Sequence, residues 1–328
     1  MNLTTTFLGL KLNSPLIVGA SPLADDVAMA RELQEAGAGA IVMRSLFEEQ
    51  IYLDQISREP GVEGAADAAD PEYFPAVSGY HFSPDQYLRH LAALKAALKI
   101  PVIASLNGCR PGGWTDYARR FEAEGADAIE LNLYQISTDP ARSGGAIEAE
   151  MLEAVCQVKS SIRIPLAVKL QPFYTSLPFF ARELERAGAD GLVLFNRFYQ
   201  AEFAADAEHL EPQLRLSDSS ELLLRLRWAA ILSPETRCSL ALTGGFHRGA
   251  DVVKAILAGA HAVQIVSAVL KGGPLGLDAI RDGLTQWMRN RGYSTPGEFR
   301  GAMNLESCPD AGSFERGSYQ RLLQNWRP

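Results

Sequence analysis

Four times along the chain a helical pattern ends in glycine and gives way to a short apolar run. The phrases are EAGAGAIVM (35–43), AEGADAIEL (123–131), RAGADGLVL (186–194) and LAGAHAVQI (257–265). Glycine takes the left-handed conformation that caps a helix at little cost, so each phrase predicts a helix end followed by a strand. The apolar runs are continuous rather than alternating, which suits a parallel strand covered on both faces. Such a run could also be buried helix, but the preceding glycine and the run length favour strand.

A second phrase interleaves with the first. KIPVIASL (99–106), RIPLAVKL (163–170) and RCSLALTG (237–244) each follow a helical stretch. With PLIVGA (15–20) the predicted strands are 15–20, 39–45, 100–106, 127–133, 164–170, 191–196, 238–243 and 262–266. Helical patterns are predicted near 25–37, 84–98, 114–125, 146–161, 178–188, 217–232, 248–259 and 274–290. In 85–99, for instance, Tyr87, Leu88, Leu91, Ala92, Leu94 and Leu98 fall largely on one stripe. Eight strands alternating with eight helices is the count of an α/β (β/α)8 TIM barrel. A doubly wound open sheet is the competing layout, but the first turn reads GASPLAD and holds no GxGxxG.

The predicted organisation is one barrel domain over 1–328, with two long connections and a C-terminal tail. The connections, about 46–83 and 197–216, both follow strands, so they fall on the face where barrels build active sites. The tail, 291–328, carries several aromatic residues, including Trp326.

Composition narrows the function. Of 328 residues 47% are hydrophobic and 21% charged, as in an ordinary globular protein, and the formal net charge is −8. That balance argues against nucleic acid as a partner, since phosphate binding needs a clustered basic surface. No apolar run reaches the ~18 residues of a membrane span, and the N-terminus does not read as a signal peptide. Cys109, Cys156, Cys238 and Cys308 have neither CxxC nor CxxH spacing. This argues against a zinc or iron–sulfur site and for a reducing, cytoplasmic setting.

Chemistry in this fold sits just past each strand. There the sequence places Ala20 and Ser21, Arg44 and Ser45, then Asn107 and Cys109. Next come Glu130, Asn132, Tyr134 and Gln135, then Lys169, then Asn196 and Arg197. The seventh and eighth strands give Thr243, Gly244 and Gly245, and Val266 and Ser267. The set is cationic and amide-rich, with no cluster that suits a metal. The glycine pair before a helix, opposite Ser267, points to an anion cradle where this fold commonly binds phosphate. Its bland alternative is a tight strand-to-helix turn. Lys169 lies in an otherwise apolar strand, where it costs stability unless paired or solvated by a site. It reads as a cation beside an electron-rich cofactor, as a Schiff-base amine, or as a strand-end lysine reaching solvent. Arg44 invites the same reading, or a simple pair with Glu48 or Glu49. Asn107, Asn132 and Asn196 could together fix the edge of a planar ring, although each alone is a common turn residue. Cys109 reads first as a loop thiol near the site.

These residues, in this order, resemble the dihydroorotate dehydrogenase family, FMN-dependent barrel enzymes of pyrimidine metabolism, and its soluble class more closely. The resemblance covers about residues 3 to 290. LTGGFHRGADVVKAILAGAHAVQIVSAVL is similar to the family's FMN-phosphate segment, VKLQP to its lysine strand, and ELNLYQIST lies where it has its catalytic loop. The resemblance implies FMN, with Ala20, Ser21, Arg44, Ser45, Asn107, Asn132, Lys169 and Asn196 around the ring. It implies Thr243, Gly244, Gly245, Val266 and Ser267 at the phosphate. Asn132, Asn196 and Arg197 would meet a small-molecule substrate. Lys169 would stabilise the reduced flavin. Gln135 stands where the family has its Cys or Ser base and cannot take a proton near pH 7, which leaves Cys109 as a second candidate. The expectation is an FMN oxidoreductase acting on a small planar or anionic substrate other than dihydroorotate. A homodimer and an electron-acceptor protein are the expected partners. The alternatives are a lyase or aldolase using Lys169, and a non-catalytic flavin-binding protein.

Overall fold

The computed structural model describes residues 1–58, 82–108, 114–197, 202–203, 210–211, 215–315 and 317–325. Most of both long connections, Cys109 and Trp326 lie outside them. The chain opens with a hairpin of β1 (Thr5–Phe7) and β2 (Leu10–Leu12). The barrel then begins with β3 (Leu16–Val18), α1 (Val27–Glu35) and β4 (Ala40–Phe47). There follow α2 (Glu48–Arg58), α3 (Pro84–Ala97), β5 (Val102–Asn107), α4 (Trp114–Ala123) and β6 (Ala128–Asn132). The second half runs α5 (Gly144–Ser161), β7 (Leu166–Leu170), α6 (Leu177–Arg186) and β8 (Gly191–Leu194). A small hairpin of β9 (Glu202–Phe203) and β10 (Leu210–Glu211) precedes α7 (Leu222–Leu232) and β11 (Ser239–Thr243). The chain ends with α8 (Gly249–Leu257), β12 (Ala262–Ile265), α9 (Ser267–Arg291) and α10 (Gly317–Asn325).

Eight strands, β3 to β8 with β11 and β12, close into one parallel barrel, and β8 pairs with β11 to complete the ring. All eight strands predicted from the apolar runs are present, so the fold is a (β/α)8 TIM barrel. The four repeated glycines, Gly37, Gly125, Gly188 and Gly259, all have φ between +89° and +112°, as a left-handed helix end requires. Two residues further on, the phrase serves a second purpose. Asp127 accepts from Val102 N at 2.7 Å, Asp190 from Leu166 N at 2.8 Å, and His261 Nδ1 from Leu240 N at 3.1 Å. In each case a side chain satisfies the amide of a neighbouring strand at the bottom of the barrel. In the first copy that position is Gly39, where a Cβ would lie 2.0 Å from Ser14 O, and Ser14 Oγ accepts from Leu16 N instead.

The barrel interior begins with an apolar layer of small residues, Ala40, Ala128, Ala167, Ala241 and Ala262, with Ile17, Val42, Ile103 and Val193. Phe7, Leu8 and Leu12 of the N-terminal hairpin pack against this layer. Small inward residues leave room there, and the hairpin's large side chains fill it. The outer faces of the strands bury a larger core against the helices.

Three segments differ from the sequence reading. The connection 46–83 starts with ordered structure: β4 runs to Phe47 and α2 follows directly. Gln50 fastens its two ends, accepting from Phe47 N at 2.9 Å and donating to Phe82 O at 2.8 Å. The helix predicted near 274–290 is present from Pro274, and a short helical segment from Ser267, not foreseen in the sequence, precedes it across a break at Gly273 (φ +57°). The helix expected from 217 is an extended stretch and a short turn, and α7 begins only at Leu222.

Candidate active site

A cavity opens at the C-terminal ends of β3, β7, β8, β11 and β12. Ala20, Ser21, Lys169, Asn196 and Arg197 line one part of it, and Thr243, Gly244, Gly245, Val266 and Ser267 line another. The sequence reading had named all of these. Arg44, Ser45, Asn107, Asn132 and Gln135 lie on or after β4, β5 and β6 and do not border that cavity among the described residues. Asn132 is nevertheless the direct neighbour of Lys169 in strand register.

Lys169 stands on the cavity floor with its ammonium 3.1 Å from Glu130 Oε1 and 3.2 Å from Gln264 Oε1. Gln264 Nε2 donates to the other oxygen of Glu130. The three polar groups are almost fully buried: Lys169 is 7% exposed, Glu130 and Gln264 1% each. Lysine has three N–H donors, and two of them are engaged in this triangle.

At the far end, Gly244 (φ +91°) and Gly245 (φ +88°) form the turn after β11. Both take a conformation that costs other residues about 1–2 kcal/mol each. A Cβ on Gly244 would lie 2.7 Å from Arg225 Nη2. Arg225 is buried beneath the turn; its guanidinium donates to Thr243 O and Glu221 O and lies 3.5 Å from the Glu221 carboxylate. Burial pushes the Arg225 guanidinium below its usual range, opposed by the Glu221 charge. Ser217 ties the turn to the start of α9: its hydroxyl accepts from Gly245 N at 3.1 Å and lies 2.8 Å from Ser267 Oγ.

On the other side of the barrel mouth, Asn132 Nδ2 donates to Ser105 Oγ at 2.9 Å, Ser45 Oγ at 3.2 Å and Leu106 O at 3.1 Å. Tyr87 supports this cluster by accepting from Ser105 N at 2.9 Å. Burial pushes the Tyr87 hydroxyl well above its usual range, so it remains a neutral hydrogen-bonding group. Asn107 ends β5, half-buried beside Asn132. Gln135 is half-buried three residues past β6. The ion pair of Arg44 is with Asp25, at 2.6 Å, where the sequence suggested Glu48 or Glu49; the short turn Pro22–Asp25 carries that carboxylate to β4. Arg44 Nε, Ser21 Oγ and Glu49 Oε2 are buried with no hydrogen-bond partner among the described residues.

The sequence reading gave no role to Glu130, Gln264, Ser217, Arg225 or Asp25. Glu130 and Gln264 carry the same signal as Lys169, a polar residue in an inward position of an apolar strand. Ser217 and Arg225 carry no such signal, because they meet the glycine turn only through the fold. Among the described residues no group of three or more His, Cys, Asp and Glu side chains could hold a metal ion. No described helix is long and apolar enough to cross a membrane.

No protein-family model matches the chain. Individual relatives do. A protein of Aeropyrum pernix assigned as a dihydroorotate dehydrogenase A (fumarate) is 29% identical over 305 residues, 89% of this chain and 94% of the relative. The dihydroorotate dehydrogenase B (NAD(+)) catalytic subunit of Thermoplasma volcanium is 28% identical over 284 residues, covering 83% of this chain and 88% of that one. The NAD-dependent dihydropyrimidine dehydrogenase subunit PreA of Escherichia coli is 23% identical over 329 residues, 94% of this chain and 78% of that subunit. With the closed barrel and the polar strand ends, this similarity along most of the chain sets the protein beside the dihydroorotate and dihydropyrimidine dehydrogenases, as an oxidoreductase that resembles them at a distance.

Proposed function

We propose that the chain is an FMN oxidoreductase that exchanges a hydride with a small planar or anionic substrate other than dihydroorotate. The observation that carries this reading is the cavity itself, which joins a glycine turn at one end to a buried ammonium at the other. The groups around it suit a phosphorylated flavin. Gly244 and Gly245 bring backbone close to where a phosphate would lie, and Ser217 and Ser267 add hydroxyls. Among the described residues Ser21 Oγ is a buried hydroxyl with no partner, and Lys169 has one N–H donor beyond its two bonds to Glu130 and Gln264. Bound FMN would supply hydride exchange at its N5.

The protein's own residues would then bind and orient. Thr243, Gly244, Gly245, Val266 and Ser267 would hold the phosphate, and Ala20, Ser21 and Lys169 the ring. Asn132 and Asn107, which lie outside the described lining of the cavity, would fix a ring edge, with Ser45 and Ser105 bonded to the Asn132 amide. Asn196 and Arg197 border the cavity and would meet the substrate, Arg197 suiting a carboxylate. Arg44 suits that task less, because Asp25 already engages it.

Substrate choice rests on Gln135. An amide there cannot accept the proton that dihydroorotate oxidation must release. Cys109, the other candidate, lies outside the described residues. A lyase working through Lys169 would have to free an amine from its pair with Glu130, which disfavours that alternative. The chain is read as one domain, acting in the cytoplasm as a homodimer. Its Thermoplasma and Escherichia relatives are named as subunits, which supports passage of electrons to a partner protein. The test is the visible spectrum of the purified protein under anaerobic hydride donors. A flavin band that bleaches with a donor and recovers with an acceptor is expected; a colourless protein, or a band that no donor bleaches, contradicts the reading.

A further inference from the structure

We propose, resting on the FMN reading above, that Glu130 is the counter-charge of Lys169, and that it sets how strongly the lysine's positive charge acts on a ring bound over it. Three separate strands build the arrangement: Glu130 on β6, Lys169 on β7 and Gln264 on β12. Lys169 and Gln264 line the cavity, while Glu130 does not. The carboxylate therefore acts through the lysine, as a positioning residue.

The placement is unlike packing. Directly below lies a layer of alanines and branched apolar residues, the filling that a barrel interior ordinarily continues. An ion pair taken out of water is no more stabilising than apolar residues of similar volume, and is often less so. Gln264 bonds both members at once, accepting from Lys169 and donating to Glu130. That fixes the ammonium laterally and leaves the carboxylate with both oxygens engaged. A cation with an anion 3.1 Å behind it presents a weakened field to whatever lies in front. Removing the anion alone strengthens that field, and removing the cation alone reverses it.

The opposite signs make the test. The two-electron potential of the flavin-loaded full chain is measured by equilibration with reference dyes, for the wild type, Glu130→Gln, Lys169→Gln and the double variant. Glu130→Gln, which keeps a similar shape and an oxygen acceptor, should raise the ratio of reduced to oxidised flavin at least tenfold, a shift of about 30 mV. Lys169→Gln should lower it, and the double variant should lie between the two single ones. A merely structural carboxylate predicts the reverse sign for Glu130→Gln, because a displaced lysine stabilises reduced flavin less. If Glu130→Gln does not fold, the double variant is compared with Lys169→Gln, and removal of the carboxylate must again raise the potential. A flavin-loaded protein whose potential is unmoved or lowered by loss of Glu130 overturns this inference alone. A protein that binds no flavin overturns it together with the functional reading.

Discussion

The Ser217 and Ser267 hydroxyls lie 2.8 Å apart, joining the stretch before α7 to the first residue of α9. The contact is doubled by Ser217 N, which donates to Ser267 Oγ at 3.1 Å. Both residues are buried, and between them they fix the spacing of the glycine turn and the last barrel strand.

Ser217→Ala removes the acceptor of Gly245 N and one partner of Ser267. A buried donor left unsatisfied costs about 1–3 kcal/mol. The Ser217 hydroxyl would also be lost as a donor to a bound phosphate, and that part of the loss falls on the cofactor. Affinity of the apoprotein for FMN should drop roughly 5- to 30-fold for about 1–2 kcal/mol, as titration calorimetry would read it. Unchanged affinity would remove Ser217 from the cradle.

Acid should weaken the bottom of the barrel through His261. Burial pushes this imidazole down to about 4 from the ordinary 6.5, and the nearby Arg300 charge adds to the effect. The folded state therefore holds the ring neutral, with Nδ1 accepting from Leu240 N, while the unfolded chain takes up a proton first. The resulting stability is complete above pH 6.5 and is lost as the pH falls towards 4. Urea denaturation at pH 7.5 and 4.5 should differ by about 2–3 kcal/mol from this residue. His261→Asn keeps an acceptor without titrating, so its own difference should be smaller by that amount. An equal pH dependence in the two proteins would show that the ring is not held neutral.

The loop after β6 should make the protein a poor dihydroorotate oxidase. A general base contributes about 10²–10⁴-fold, and Gln135 supplies none. Anaerobic mixing with dihydroorotate should bleach the flavin slowly or not at all. Gln135→Cys alone should not restore full rate, because a base in that loop supplies proton transfer and no binding of the substrate. Fast bleaching by the unaltered protein would point to another base, with Cys109 the first to replace.

The barrel was legible because its signal is local. Each repeated phrase carries its own glycine cap and apolar run, and Gly37, Gly125, Gly188 and Gly259 all behave as written. The polar strand ends were legible for the same reason, since the fold puts them on one face whatever the loops do. The N-terminal hairpin escaped notice because three-residue strands are too short for a period to show. The partners of Lys169 and Arg44 were not legible. Glu130 and Gln264 are 134 residues apart and meet only when the ring closes, and Asp25 reaches Arg44 only through a tight turn. Similarly, Arg225 belongs to a helix that no motif connects to Gly244.

The most direct measurement of the central claim is the mass of what the protein releases on denaturation. The purified full chain is unfolded, the small molecules are separated, and the flavin is weighed and counted against protein. The account predicts one FMN per chain, freed without breaking a covalent bond. Recovery of FAD, or of no flavin after expression with excess riboflavin, would contradict it.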